Sequence, residues 1–350
     1  MRKVEFGIVG MGIAGACLAL ELVKRGKSFV VFNKPDPKSA SMVAAGLFNP
    51  ITGRKMVKTW MANEFFDVLF PFYQSAEKLL DGHFFHPIGI YRPLLSFEEV
   101  NDWNGKSALD GYQRFIKSIS SHKTDNAAVL DNHGGVTLAQ AGYLDVKKFL
   151  LFLKNYLVKQ NCYIETDVLL DNLNIDNDCI EIEHVQCEKL ILATGVNLSS
   201  NKQLRNLPFT PVKGETLTLR SLVELTTILN RKVFCIPVGN NEFRIGATYD
   251  WRNLNFEVTK EAETELLERL SSIMDFTFEK IGHHVGIRPA TKTRRPLLGV
   301  LPETSGKVFF FGGLGSKGVS MAPYMACHLL DHIEQNKNLL SDVNIEKYYR

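Results

Sequence analysis

Val4-Glu5-Phe6-Gly7-Ile8-Val9-Gly10-Met11-Gly12-Ile13-Ala14-Gly15 opens the chain, and its reading decides the fold class. A short apolar run, Val4 to Val9, ends in G-x-G-x-x-G, and Ile13 to Arg25 then carries apolar residues at helical spacing. Phe29 to Phe32 follows as a second β-branched and aromatic run. The stretch predicts a β-α-β unit with the glycines in its first turn, the setting in which this motif binds a dinucleotide. Gly10 permits the tight turn, Gly12 lets backbone N–H groups reach a pyrophosphate, and Gly15 lets helix and strand pack closely. The helix N-terminus adds partial positive charge for the phosphates. Gly10, Gly12, Ile13, Ala14 and Gly15 are thus the first cofactor candidates.

The second part of that fingerprint is missing. About 20 residues beyond the glycines, an acidic residue ordinarily accepts hydrogen bonds from the adenosine ribose. This chain has Asn33 there, followed by Lys34. Asn33 can still accept one such bond through its amide oxygen. Asn-Lys alone would suit a 2′-phosphate, so FAD, NADP and a non-catalytic cofactor protein all stay open at this point.

The remaining pattern places the loop in a larger frame. Asn33 to Asn49 is rich in Pro, Ser, Ala and Gly and reads as a loop. Val146 to Val158 reads as a helix, followed by short alternating runs at Tyr163–Leu170, Cys179–Glu183 and Lys189–Ala193. Strand patterns at Thr216–Leu219, Val233–Pro237 and Phe243–Ala247 surround one helix, Lys260 to Met274. Val308–Phe311, a Gly-rich turn and a helix from Val319 to Glu334 close the chain. Parallel-type elements thus bracket antiparallel-looking ones, which predicts two interleaved domains.

Composition narrows the classes. The chain has 350 residues, 45% hydrophobic and 23% charged, enough for about two cores. A formal charge of +3 is too small to imply nucleic-acid binding by itself. Six scattered cysteines without C-x-x-C read as reduced thiols in the cytoplasm. The apolar N-terminus is broken by Gly7, Gly10, Gly12 and Gly15 and reads as a folded strand rather than a signal peptide. There is no run of about 18 apolar residues to predict a transmembrane helix. Adjacent His283 and His284 would face opposite sides of a strand, so no metal site is expected.

Several further motifs carry a resemblance. They are Val43-Ala44-Ala45-Gly46-Leu47, Leu192-Ala193-Thr194-Gly195-Val196 and Pro211-Val212-Lys213-Gly214-Glu215. Gly286-Ile287-Arg288-Pro289 with Pro296-Leu297-Leu298-Gly299 comes next, then Gly313-Leu314-Gly315-Ser316-Lys317-Gly318 through Ala322-Pro323. With the opening glycines, the chain resembles the D-amino-acid oxidase superfamily of FAD enzymes over nearly its whole length. That group includes glycine oxidase, sarcosine oxidase and the FAD domain of a bacterial tRNA-modifying bifunctional protein. The resemblance implies an α/β fold with an α+β substrate part: a Rossmann-type FAD-binding domain interleaved with a mixed or antiparallel-sheet substrate domain. The expected division is 1–75, 135–205 and 290–350 for FAD, 76–134 and 206–289 for substrate. It also implies oxidation of a C–N bond in a small amine or amino acid, with O2 or another acceptor reoxidising the flavin.

Candidate roles follow. Ala44, Ala45 and Gly46 are small enough to lie flat against a phosphate chain or flavin edge, or simply form a tight turn. Ala193 and Gly195 end a buried strand at the cofactor. Backbone N–H groups of Gly313, Leu314, Gly315, Ser316, Lys317 and Gly318 precede a helix and could stabilise negative charge on a reduced flavin. The Lys317 side chain either adds charge there or is solvated. By likeness to glycine oxidase, Val168 would meet the adenine through its backbone. Arg288 offers a planar fork for a substrate carboxylate, the role of this arginine in the amino-acid-oxidising members, with an internal ion pair as the alternative. Tyr249 falls at a substrate-facing position of glycine oxidase, or is a core tyrosine.

One departure is Phe234, where glycine and D-amino-acid oxidases carry a pocket tyrosine; this puts oxidation of glycine or D-alanine in doubt. Ala-Ala-Gly-Leu-Phe-Asn-Pro and Gly-Leu-Gly-Ser-Lys-Gly look closer to the tRNA-modifying domain, which keeps a modified tRNA base as the alternative substrate. The basic runs Arg54, Lys55, Lys58 and Lys292, Arg294, Arg295 read first as solvated faces and second as contacts for an anionic substrate such as RNA.

Overall fold

In the computed structural model, β1 (Arg2–Val9), α1 (Ile13–Lys24) and β2 (Phe29–Asn33) form the expected β-α-β unit. The strands pair in parallel from Phe6–Phe29 to Val9–Phe32. α1 can start directly after the turn because position 15 is glycine: a Cβ there would collide with the Gly10 carbonyl oxygen. The structure describes residues 1–53, 55–169, 174–175, 179–195 and 202–349. Arg54, Leu170 and Val196 lie outside the described residues.

The parallel sheet grows outward from this unit. Tyr163–Glu165 pairs with β2, and Val185–Leu192 pairs with the other edge of β1. Val308–Gly312 then pairs with the end of Val185–Leu192, again in parallel. The run read as Lys189–Ala193 is the second half of that longer strand, whose first half pairs antiparallel with Ile180–Ile182. Both faces of the sheet are covered, so its central strands β2 and Val308–Gly312 and the ends of β1 and Val185–Leu192 are buried and apolar. In β2, Phe29 and Val31 enter one hydrophobic layer while Val30 and Phe32 enter the other. α1 and the helix Gly318–Gln335 share the first layer with Ala62–Leu80, a helix the sequence reading passed over.

A second sheet has eight strands in the order Glu279–Arg288, Val212–Arg220, Glu242–Gly246, Val233–Gly239, Ile228–Arg231, Ile90–Pro93, Gly135–Leu138, Ile116–Ser120. All neighbours are antiparallel except Ile228–Arg231 beside Ile90–Pro93. Gly135–Leu138 is therefore a strand of this sheet, although the expected division placed 135–205 with the cofactor. The helix Lys260–Ser271 closes this sheet's core through Leu266 and Leu270, packed with Leu217, Leu219 and Cys235.

Two contacts seat the cofactor loop on the second sheet. Asn33 to Asn49, read as a loop, contains one helical turn, Ala40–Val43, and a short strand, Leu47–Phe48. Val43 packs where a Cβ on Gly286 would otherwise sit. Arg244 donates to the Ala44 carbonyl oxygen at 2.8 Å. Loop and sheet edge are thereby held face to face with a gap between them.

A candidate cofactor and substrate cleft

The gap is a cleft of about 2820 Å³. Parallel strands present their C-terminal ends to it, where ligands of open α/β sheets bind. At the β1 end, Gly10, Gly12, Ile13 and Ala14 line it; Gly15 does not, being sealed against the turn. Gly10 has φ +96°, and a Cβ there would sit 2.6 Å from the Ala193 carbonyl oxygen. The neighbouring strand ends contribute Asn33, Val168, Ala193 and Gly195. Ala44, Ala45 and Gly46 form one wall, and Gly313 to Gly318 form the opposite one.

Asn33 does more than the sequence suggested. Its Oδ1 accepts from the Met11 N–H at 2.9 Å, and its Nδ2 donates to the Tyr163 hydroxyl at 3.1 Å. It therefore pins the glycine turn, with one lone pair of its oxygen left for a ligand. Lys34 pairs with Asp167 at 2.7 Å, so the cation that would favour a 2′-phosphate is already engaged. Ser41, which sequence reasoning missed, accepts from the Ile13 N–H at 3.0 Å and caps the start of α1. Its signal was the Ser-rich run just before Ala44-Ala45-Gly46.

Arg288 stands at the end of its strand with its guanidinium lying across Gly214, where any Cβ would overlap it. Nη1 donates to the Thr248 carbonyl oxygen at 3.2 Å, and the guanidinium stacks 4.5 Å from the Tyr249 ring centre. Burial lowers its pKa from the usual arginine value, and among the described residues no carboxylate pairs with it. Tyr249 is 53% exposed and Trp251 62% exposed, their rings 6.0 Å apart, so the core reading of Tyr249 does not hold. Phe234 lines the same cleft.

Lys317 reaches in from the opposite wall and donates to the Thr52 hydroxyl at 3.1 Å. Burial, reinforced by Arg295 and Arg294, brings its ammonium down to about 8. It is not a solvated lysine. His283 and His284 take opposite partners, Glu215 at 2.9 Å and Thr218 at 3.1 Å.

The family model for FAD-dependent oxidoreductases, DAO, matches residues 5–331. The chain belongs to the DAO family of FAD-dependent oxidoreductases. Its curated relatives include the tRNA 5-methylaminomethyl-2-thiouridine biosynthesis bifunctional proteins of Idiomarina loihiensis and Marinobacter nauticus. These are 23% and 24% identical over 91% and 98% of this chain. The chain spans about half their length, 54% and 58%. Glycine oxidase from Geobacillus kaustophilus shares the fold with a TM-score of 0.78 at 20% identity, covering 97% of both chains. Iminodiacetate oxidase from Chelativorans sp. BNC1 does so at 0.76 and 18%, covering 98% of both. Among the described residues no helix is long and apolar enough to cross a membrane.

The residues present fit FAD. One cleft is lined by Asn33 and Val168, by the glycine turn and by Ala44 and Gly313, and glycines at positions 10, 12, 46, 313, 315 and 318 leave backbone bare along it.

Proposed function

We propose that this FAD-dependent oxidoreductase oxidises the C–N bond of a small amine that carries a carboxylate beside the reacting carbon. The observation behind this reading is Arg288: a half-buried cation lining the cleft whose partners among the described residues are a carbonyl oxygen and an aromatic face. A guanidinium so placed binds a carboxylate through two parallel hydrogen bonds and fixes the neighbouring carbon. Asn33, Ser41 and Gly10 to Ala14 would hold the adenosine and pyrophosphate end of the cofactor; Ala44 to Gly46 and Gly313 to Gly318 would flank its ring.

FAD bound here would supply a two-electron sink for the hydride on the carbon bearing the amine, leaving an imine for water to hydrolyse and O2 or another acceptor to reoxidise the cofactor. What this chain adds is orientation and field. Arg288 holds the carboxylate, Tyr249 covers the guanidinium, and Phe234 keeps an apolar wall where a hydroxyl would compete for the amine. Below pH 8 or so, the proton on Lys317 Nζ and the N–H groups at the start of Gly318–Gln335 favour negative charge on that side. No residue need remove the amine's proton if the amine enters neutral.

A second reading, favoured by the relatives' names, is the same oxidation on an amine side chain of a modified tRNA base. Anaerobic addition of carboxylate-bearing amines, watching loss of visible flavin absorbance, tests the first reading. Bleaching by N-carboxymethyl amines or amino acids supports it. Bleaching only by amines without a carboxylate would overturn it.

A further inference from the structure

Beyond Arg288 the cleft has a second cationic group. The paired strands Ile51–Thr52 and Val57–Lys58 bring Thr52 and Lys58 to the cleft. The loop after Arg288 brings Lys292, Arg294 and Arg295, and Lys317 approaches from beneath. Arg295 stacks 4.4 Å from the Trp60 ring centre, which ties the loop to the segment just after these strands. Lys317 bonds to Thr52 and feels the charges of both arginines. All of these residues line the one cleft.

The group is poorly neutralised. Its sole ion pair among the described residues is Arg295 to Asp342, long at 3.6 Å. Lys58, Lys292 and Arg294 have no side-chain hydrogen bond or ion pair among the described residues. Lys292 and Arg294 stand exposed at the rim while Lys317 lies beneath cover, and burial first, then the like charges of Arg295 and Arg294, hold its ammonium down. Solvated lysines on an open face would spread apart; here packing on Trp60 and bonding to Thr52 hold two of the cations in place. An arrangement that is unfavourable when empty becomes favourable when an anion enters.

We infer that this recess, formed by Lys58, Lys292, Arg294, Arg295 and Lys317 around Trp60, binds a phosphate ester carried by the substrate. The inference rests on the reading of this cleft as the oxidation site, but not on which amine reacts. A carboxylate is served by Arg288 alone at the other end of the loop. Five cations suit an anion of higher charge, and two arginine forks match phosphate oxygens. The flat Trp60 wall lies beside them for whatever joins phosphate to amine. Such a phosphate belongs to either a small phosphorylated amine or an RNA backbone.

The test uses FAD-loaded protein, so that the pyrophosphate site is filled. Inorganic phosphate, pyrophosphate and a 17-nucleotide unmodified RNA hairpin are titrated while flavin absorbance and Trp fluorescence are followed. A Lys292→Gln/Arg294→Gln variant is measured beside the parent, with FAD content and melting temperature as controls. Saturable binding that weakens tenfold or more in the variant, at unchanged FAD content, supports the recess. If pyrophosphate then binds as tightly as RNA, the ester is on a small molecule. If RNA binds far more tightly, with log affinity falling by about 0.7 per phosphate against log salt, it is on a backbone. Binding of none of the three, or binding equal in parent and variant, overturns the inference. Because the readout is binding, failure of the amine-oxidation reading would leave these results untouched and show only in the bleaching screen.

Discussion

The two ends of the cleft are built from different material. At the end proposed for the cofactor, glycine backbone lines the cleft: Gly10, Gly12 and Gly313 stand there beside Ile13 and Ala193. At the end proposed for the substrate, long side chains line it from separate elements: Arg288 and Tyr249 from the second sheet and its loop, Lys317 from a turn, Trp60 from beyond a hairpin. A backbone-built site tolerates almost no change in residue size. A side-chain-built site tolerates change in size but not in charge.

The largest expected effect breaks the cofactor end. Gly15→Val forces a Cβ into the Gly10 carbonyl oxygen, so α1 must shift off the turn. The expected outcome is protein that purifies without FAD and melts lower, measured by released flavin and a thermal scan. Gly12→Val should spare the fold more, because a Cβ there meets only the Ser41 hydroxyl, at 3.1 Å, while still obstructing the pyrophosphate. A yellow, fully loaded Gly15→Val protein would contradict the backbone account.

The same contrast explains what the sequence disclosed. The β-α-β unit and the glycine turns were legible because each is local, carried by periodicity and glycine spacing, whereas Arg288 stood out through the Gly286-Ile287-Arg288-Pro289 motif of the family the chain resembles. The helix Ala62–Leu80 went unread although it packs into the main core, and Gly135–Leu138 shows its sheet only through its strand partners. Ser41, Thr52, Trp60 and Arg244 act through partners 28 to 265 positions away, and no local pattern announces such pairs. Asn33 looked like a defective ribose ligand because its bond to Met11 is invisible without the fold.

Next in size, Arg288→Ala tests the substrate end. An unpaired carboxylate in a partly dehydrated site costs about 2–5 kcal/mol, or roughly 30- to 4000-fold in kcat/KM. FAD content should stay unchanged, since among the described residues Arg288 bonds to Thr248 and stacks on Tyr249. Arg288→Lys should recover part of the loss, as an ammonium lacks the fork. Steady-state kinetics with whichever amine bleaches the flavin measure this, and retained kcat/KM with lost stability would move Arg288 out of the site.

A smaller effect is set by pH. Lys317 titrates near 8 in the folded chain against an ordinary 10.5, so it is charged below pH 8 and increasingly neutral above. Binding of an anionic probe to loaded protein should weaken as pH rises through that value. Lys317→Arg should flatten this limb because guanidinium stays charged, and Lys317→Met should flatten it at low affinity. The stability linkage has the opposite sense: folding disfavours the protonated form, so this residue's contribution rises with pH between about 8 and 10.5. An affinity limb unchanged in Lys317→Met would assign it to another group.

The smallest effect expected is at Asn33, where the two kinds of construction meet. Its side chain serves the backbone turn through Met11 and is held by Tyr163, so it acts as scaffold and leaves one lone pair for the ribose. Asn33→Asp keeps an acceptor for the Met11 N–H, adds charge for the ribose hydroxyls, and reverses the bond to Tyr163, whose hydroxyl must now donate to the carboxylate. A neutral hydrogen bond contributes about 0.5–1.5 kcal/mol and a charge-assisted one roughly twice that, so the net change is small and depends on whether the Tyr163 hydroxyl can turn. FAD affinity should therefore stay within about tenfold of the parent. Asn33→Leu removes the acceptor and leaves the Met11 N–H without its partner, at a cost of about 1–3 kcal/mol, and should weaken FAD more than Asn33→Asp does. Fluorescence titration of apoprotein with FAD measures both. If Asn33→Asp lost FAD as heavily as Asn33→Leu, the bond to Tyr163 rather than the one to Met11 would be what holds the turn.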